Sequence, residues 1–482
     1  MAAFFVPMGT NPRKSPSNRQ LEEKEEFPMK RLRNILCALL AGALLAGCGV
    51  QPRTDDKQGG GAAVDLTKYA VKEAAFPAYP REPRFEDYMD DGEEGWDAYE
   101  AAYTEYTEAL RKLGKLDAEI DSGAVRGFAD RTVGKIFTDG ENRVYSPVSL
   151  YAALAMLTEM TAGETRQQVM ELLGEADGAS LRQRIKELWL GTYMDDGRSM
   201  CRLANGAFLR ENAEVKQEAV DALKDWYYAS TYRVPMGTAE ADKAIAGWLN
   251  QNTGGLLSEE TGSIRTEVDD LLRLYNTIYY KSSWQDAFEE SQTRKDVFTA
   301  AGGTEQEADF MHRTERGSYQ KGKGYTAAPR YLRYGRMVFV LPDEGVTPES
   351  LLQRQGFLTE LTGDYNAAEL VWSVPKFDVK SSTGLNEALQ ALGVTDAFDG
   401  TKADFTPLTD NGAVVDSVMQ AARVKIDEDG VEAAAYTEIV TADSAMIEMP
   451  PTVEMELDRP FLFVIFDNNN VPLFVGTVNT LE

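Results

Sequence analysis

Val144-Tyr145-Ser146-Pro147-Val148-Ser149-Leu150, running on through Ala153-Leu154-Ala155-Met156 to Ala162-Gly163-Glu164-Thr165, is the stretch from which the rest of the chain is read. Its apolar and small residues predict a helix from Pro147 to Thr161, and Gly163 separates it from a second over Glu164 to Leu173. Upstream, Val125 to Phe137 reads as another helix, closed off by Gly140. Downstream the pattern changes to strands: Leu271 to Lys281, Met337 to Leu341, Glu369 to Val374, Ala413 to Ile426, Phe461 to Phe466 and Val471 to Val478. The last two are nearly continuous apolar runs joined at Asn468-Asn469-Asn470, which predicts a central, buried hairpin. Helices come first and strands dominate the end, so the expected class is mixed α+β rather than alternating βαβ units.

Length and charge bound the function. The 482 residues suffice for one large domain with extra segments, and the net charge of −28, from 78 acidic and 50 basic side chains, argues against a nucleic-acid partner. Of three cysteines, Cys37 and Cys48 lie in or beside an apolar N-terminal stretch, which leaves Cys201 alone in the body and no disulfide there. The single histidine, His312, weighs against His-rich zinc sites and Ser-His-Asp chemistry and reads as a loop or sheet-edge residue. With no nucleophile motif, metal spacing or phosphate loop, neither an enzyme nor a cofactor is expected.

Residues Met29 to Gly47 read as a secretory signal, with Lys30, Arg31 and Arg33 as the charged start and Ile35 to Leu45 as the apolar run. It ends in Leu45-Ala46-Gly47-Cys48, which resembles a bacterial lipobox and implies lipid on Cys48. The expected organisation is a mis-assigned start over 1–28, a signal peptide over 29–47, a flexible tether over 48–68, an acidic aromatic segment over 69–120 and the main domain over 121–482. Apolar spacing from Trp96 to Leu113 predicts one amphipathic helix in the aromatic segment, packed on the domain or extended as a stalk. The implied location is extracytoplasmic, anchored to a bacterial membrane through Cys48 or released.

The opening stretch is similar to the second-helix region of the serpin family. Further blocks resemble serpins in family order: Leu203-Ala204-Asn205 before Phe208, Trp248-Leu249-Asn250, Tyr275-Asn276-Thr277-Ile278-Tyr279-Tyr280-Lys281 leading to Trp284 and Phe288, Val374-Pro375-Lys376-Phe377, Glu428-Asp429-Gly430 and Arg459-Pro460-Phe461. The resemblance spans about Asp121 to Glu482. It implies a monomer with an α+β serpin fold: three β-sheets, eight or nine helices, and an exposed reactive loop between Glu428 and Pro460. Ser146, Ser149 and Asn276 would lie at the shutter, where the central sheet parts, and Trp284 at the breach, where the loop enters. Gln420 stands where many serpins carry a histidine, and its amide can still donate and accept.

The hinge, Gly430-Val431-Glu432-Ala433-Ala434-Ala435-Tyr436-Thr437 after Glu428, also speaks for itself. Inserted as a strand it would bury Val431, Ala433, Ala435, Thr437 and Ile439 and turn Glu432 outward; the buried set is small or β-branched, with no charge or proline. In the family, a serine protease cuts the loop, forms an acyl complex and is carried across the molecule as the loop inserts. The family spacing counted from Glu428 puts the scissile bond between Ser444 and Ala445; counted back from Arg459 it falls nearer Met446 or Ile447. No Lys or Arg lies between Lys425 and Arg459, so elastase-like or chymotrypsin-like proteases are the expected targets. The alternatives are a non-inhibitory serpin and a surface lipoprotein that binds a ligand.

Overall fold

The computed structural model describes residues 64–116, 120–257, 261–262, 264–432 and 450–481. In chain order, strand β1 (Ala70–Lys72) and helix α1 (Gly92–Lys112) precede α2 (Ser122–Ile136), β2 (Arg143–Tyr145), α3 (Pro147–Met160), α4 (Gly163–Leu173) and α5 (Gly178–Thr192). Then follow β3 (Met194–Asp195), β4 (Met200–Arg210), α6 (Gln217–Tyr227), β5 (Ala229–Val234), α7 (Ala239–Asn252) and β6 (Leu272–Ser283). The second half is strand-rich: β7 (Arg294–Thr299), β8 (Glu305–Gly322), β9 (Tyr325–Tyr331), β10 (Arg336–Pro342), β11 (Asn366–Pro375), β12 (Phe377–Gly384) and β13 (Met419–Ile426). The last elements are β14 (Gly430–Val431), β15 (Thr452–Glu456), β16 (Phe461–Phe466) and β17 (Pro472–Val478).

Helix α3 starts where its sequence dictates. Pro147 occupies the first turn, where its missing N–H is no loss, and the Ser146 side chain caps the helix by accepting from the Ser149 amide at 3.3 Å. Almost every residue of α3 is buried, because it runs beneath a sheet and packs on helices at its sides.

Two hydrogen-bonded sheets are present among the described residues. The first has the order β1-β5-β4-β6-β14-β13-β12, with β3 on β4; the second runs β15-β11-β8-β9-β10-β16-β17-β2, with β7 on β8. Residues 305–319 of β8 pair with β7 and β11, whereas Gln320–Gly322 pair with β9. One long strand thus joins into a single path the two sheets expected beside the central one. Both strands of the β16–β17 hairpin are buried at every position, as their apolar runs require. The predicted strand over Ala413 to Ile426 is only half formed. Met419–Ile426 pairs with β12, while 413–418 makes no ladder, since no strand lies beside it to complete one.

The acidic aromatic segment packs on the domain. Even the end of the stretch read as a tether is held, with Leu66 buried against Ala244, Ile245 and Trp248 of α7, and β1 adds an antiparallel strand to the β5 edge of the first sheet. Phe76 stacks on Trp189 with ring centroids 5.6 Å apart, and the Tyr193 hydroxyl donates to the Pro77 carbonyl at 2.9 Å. At the other end the Lys115 ammonium donates to the Gly191 and Tyr193 carbonyls at 2.8 and 2.6 Å, where α5 finishes. Burial pushes the Lys115 amine down to about 8.

Candidate functional site

Gly430 and Val431 lie inside the first sheet. Gly430 pairs with Ser283 and Val431 with Ser282 of β6, while Val431 also pairs with Ile426 of β13. Val431 is 2% exposed. Gly430 has φ 154°, a backbone setting that side-chain-bearing residues rarely adopt. The loop that the sequence reading exposes from Glu428 onward is therefore buried over Glu428, Gly430 and Val431, because these residues complete the top of the sheet.

Aromatic and charged groups hold that segment. The Trp284 amide donates to the Asp429 carbonyl at 2.9 Å, its indole N–H to the Asp427 carbonyl at 3.0 Å, and the Phe288 amide to the Glu428 carbonyl at 3.0 Å. The Arg330 guanidinium covers the rings of Trp284 and Phe288 at 5.3 and 3.9 Å. The Glu428 carboxylate accepts from the Thr293 hydroxyl at 2.7 Å and the Lys376 ammonium at 2.6 Å. Burial opposes ionisation of Glu428, yet these two bonds outweigh it and hold the carboxyl below its ordinary value. Asp429 moves the other way: burial, then the charges of Asp427, Glu290 and Glu428, push it up.

The inserted strand stops at Val431. Glu432, which insertion of the whole loop would turn outward, has here a left-handed φ of 50° and a half-buried side chain whose Oε2 has no hydrogen-bond partner among the described residues. Burial pushes its carboxyl up to about 7 against the pull of Lys281, Arg423 and Lys425, while Asp378 adds to the rise. A left-handed glutamate with an unpaired buried oxygen is strained backbone at the point where the loop leaves the sheet.

Beneath the hinge, Ser146, Ser149, Asn276 and Gln420 come together. The Gln420 carbonyl oxygen accepts from the Ser146 amide at 2.7 Å and its NH2 donates to the Ser146 carbonyl at 3.0 Å. The Ser149 hydroxyl donates to the Asn276 side-chain oxygen, the Asn276 NH2 to that of Asn205, and the Asn205 NH2 to the Tyr227 carbonyl at 2.6 Å. Strands β4, β6 and β13 are thereby each tied to helical backbone or side chains. Asn205 and Lys376 carry no signal of their own in the sequence beyond their places in the serpin-like blocks Leu203-Ala204-Asn205 and Val374-Pro375-Lys376-Phe377.

Below β14 the two strands flanking it are not joined. Among the described residues no ladder pairs β6 with β13, and a cavity of about 1050 Å³ lies between the start of β6 and the stretch leading into β13. Leu150, Leu154 and Leu157 of α3 line it, together with Leu274 of β6 and Val418 beside β13. The shutter bonds lie at its upper end, where Gln420 and Asn276 line it too.

Ala433, Ala434, Ala435, Thr437, the reactive-bond candidates Ser444, Ala445, Met446 and Ile447, and Cys48 lie outside the described residues. His312 sits on β8, paired in register with Ser373 of β11, with Nε2 buried and unpartnered. Burial and Arg294 hold its imidazole below the ordinary value. Cys201 is a buried free thiol that burial pushes well above its usual range. Among the described residues no group of three His, Cys, Asp or Glu side chains is placed to hold a metal ion.

Comparison with known proteins gives a consistent picture. The Serpin (serine protease inhibitor) family model matches residues 124–481. Alpha-1-antiproteinase 2 of Equus caballus is 28% identical over 351 residues, covering 70% of this chain and 81% of that protein. Plasminogen activator inhibitor 1 of Neovison vison is 29% identical over 357 residues, covering 70% and 86%. Among solved structures, the thermophilic serpin tengpin in its native state superposes with a TM-score of 0.68 at 25% identity, covering 75% of this chain and 95% of tengpin.

Proposed function

The chain belongs to the serpin family, and from that premise we propose that it inhibits a serine protease by offering its loop as bait and drawing the cut loop into the first sheet. One observation carries the reading: the first two hinge residues already occupy the position of a strand between β6 and β13, above a stretch over which, among the described residues, no ladder joins β6 to β13. Gly430 and Val431 are the template from which Ala433, Ala435 and Thr437 would follow inward, and each small side chain enters without a charge to desolvate. The Ser146–Gln420 and Ser149–Asn276–Asn205 bonds act as the shutter, and Trp284 with Glu428 holds the root of the loop at the breach. The protease serine supplies the covalent chemistry; this chain supplies a fold that gains ladder bonds when the loop enters.

Between Lys425 and Arg459 the chain has no Lys or Arg, which favours elastase-like or chymotrypsin-like enzymes, with cleavage from Ser444 to Ile447. Lipid on Cys48 and an extracytoplasmic location belong to the same proposal and rest on the Leu45-Ala46-Gly47-Cys48 signal. Incubation with elastase, chymotrypsin and trypsin tests the reading. A denaturant-resistant complex, with a released peptide beginning between Ala445 and Glu448, is expected for the first two. Cutting without a complex across a broad panel of serine proteases would leave a non-inhibitory serpin as the better account.

A further inference from the structure

Residues 64–116 precede the family match at 124–481, and their outermost part carries an unusual surface. Six aromatic rings form a chain over the 3-10 stretch Phe85–Asp91 and helix α1. Centroids are 5.4 Å apart for Phe85–Trp96, 5.2 Å for Phe85–Tyr99, 5.8 Å for Tyr88–Tyr99, 6.0 Å for Tyr99–Tyr103 and 5.9 Å for Tyr103–Tyr106. Rings so arranged ordinarily form a core, yet Trp96 is 55% and Tyr103 44% exposed, and Phe85 is exposed as well. Between Arg84 and Arg111 the sequence holds ten carboxylates and no Lys or Arg.

The same face is rooted beside the loop. Arg333 pairs with Glu82 just ahead of the aromatic chain, and its amide donates to the Ser283 carbonyl at 2.9 Å. Ser283 is the residue that pairs with Gly430. Tyr106 and Ala109 of α1 border a hollow shared with Asp196 and Arg198, in the turn leading into β4, whose first residue, Met200, pairs with Lys281 of β6. Both attachments are thus at the end of β6 where the hinge enters.

We propose that the aromatic face of Phe85–Lys112 is a docking surface for the basic surface of the target protease, engaged while the loop occupies that protease's active site. The inference rests on the inhibitory reading. Exposed π-faces in so acidic a stretch of sequence attract guanidinium and ammonium groups through both ion pairing and cation–π contact. A second copy of this chain, at net charge −28, is repelled by the same field. Docking of this kind raises the encounter rate by about 10-fold or more and weakens as salt screens it.

The test compares two elastases of matched cleavage preference, one with a strongly basic surface and one near neutral, inhibited by the full chain. The variants are Trp96→Ala with Tyr103→Ala, and Asp97→Lys with Glu100→Lys, all at exposed positions. Against the basic enzyme at low salt, both variants should inhibit at least about 10-fold more slowly, a difference that shrinks at about 0.3 M salt. Against the neutral enzyme they should match the wild type. Equal rates for wild type and variants against the basic enzyme would overturn the inference while leaving inhibition intact. If no elastase forms a covalent complex, binding of the basic elastase with its catalytic serine changed to alanine separates the two ideas. Tighter binding to wild type than to the variants keeps the docking surface although inhibition fails, and indistinguishable binding overturns it. Binding of neutral oligosaccharides, with no preference for the basic enzyme, would also overturn it.

Discussion

Gln420 exchanges two hydrogen bonds with the backbone of Ser146, accepting from its amide at 2.7 Å and donating to its carbonyl at 3.0 Å. Strand β13 and the start of α3 are held together by this one amide, 8% exposed. The Ser146 carbonyl also receives the Leu150 amide, so it keeps a partner if Gln420 is lost, whereas the Ser146 N–H does not. Gln420→Ala should therefore cost about 1–3 kcal/mol, the penalty of one buried unsatisfied donor. Gln420→Glu, which puts a carboxylate in the same buried place, should cost more. Urea unfolding of the three proteins checks the order.

Val431 is buried between β6 and β13, and a charge there has no counter-ion within the ladder. Val431→Arg should expel β14 from the sheet and turn an inhibitor into a substrate. The number of inhibitor molecules consumed per protease inactivated should rise about 10-fold or more, since each 1.4 kcal/mol shifts the partition tenfold. Val431→Thr keeps the β-branch and should stay close to wild type. Titration of a fixed amount of elastase gives both values.

Glu432 makes the hinge pH-sensitive. Its carboxyl is raised by burial to about 7 from an ordinary value of 4.5, so the folded form binds a proton more readily than the unfolded chain. The associated stability is fully present below about pH 4.5 and is lost as the pH rises through 7. Glu432→Gln should melt with the wild type at pH 5 and above it at pH 8. Thermal melting across that range checks the sign, and parallel curves would remove Glu432 as the cause.

The segment ahead of the family match contributes to the fold. Leu66 is buried on α7, Phe76 lies on Trp189, and β1 covers the β5 edge. A chain starting at Asp121 should melt at least about 5 °C below one starting at Gly59, because one or two buried apolar side chains are worth about 1.5–3 kcal/mol each. Leu66→Ala within the longer chain should recover part of that loss.

Much of this was legible before the structure. Pro147 and Gly163 marked the ends of α3 and the start of α4, and Val374-Pro375-Lys376-Phe377 and Glu428-Asp429-Gly430 carried the family resemblance that brought the breach into view. What escaped depends on neighbours rather than on local pattern. Ala413 to Val418 has the composition of a strand, but a strand exists only where another offers its backbone, and β6 stands apart there. A three-residue strand such as Ala70–Lys72 leaves almost no signature, because the exposed edge of β5, far along the chain, decides that it forms. Asn205 is an ordinary strand residue by sequence and becomes a link only when β4 and β6 place it opposite Asn276.

The central claim is that the gap between β6 and β13 is filled by the chain's own loop once it is cut. Limited cleavage by elastase, followed by thermal melting of the nicked but unseparated protein, measures this directly. Insertion adds ladder bonds on both sides of the new strand and covers the α3 leucines, so the nicked protein should melt at least about 10 °C higher than the intact one. A nicked protein that melts at the same temperature or lower would contradict the account.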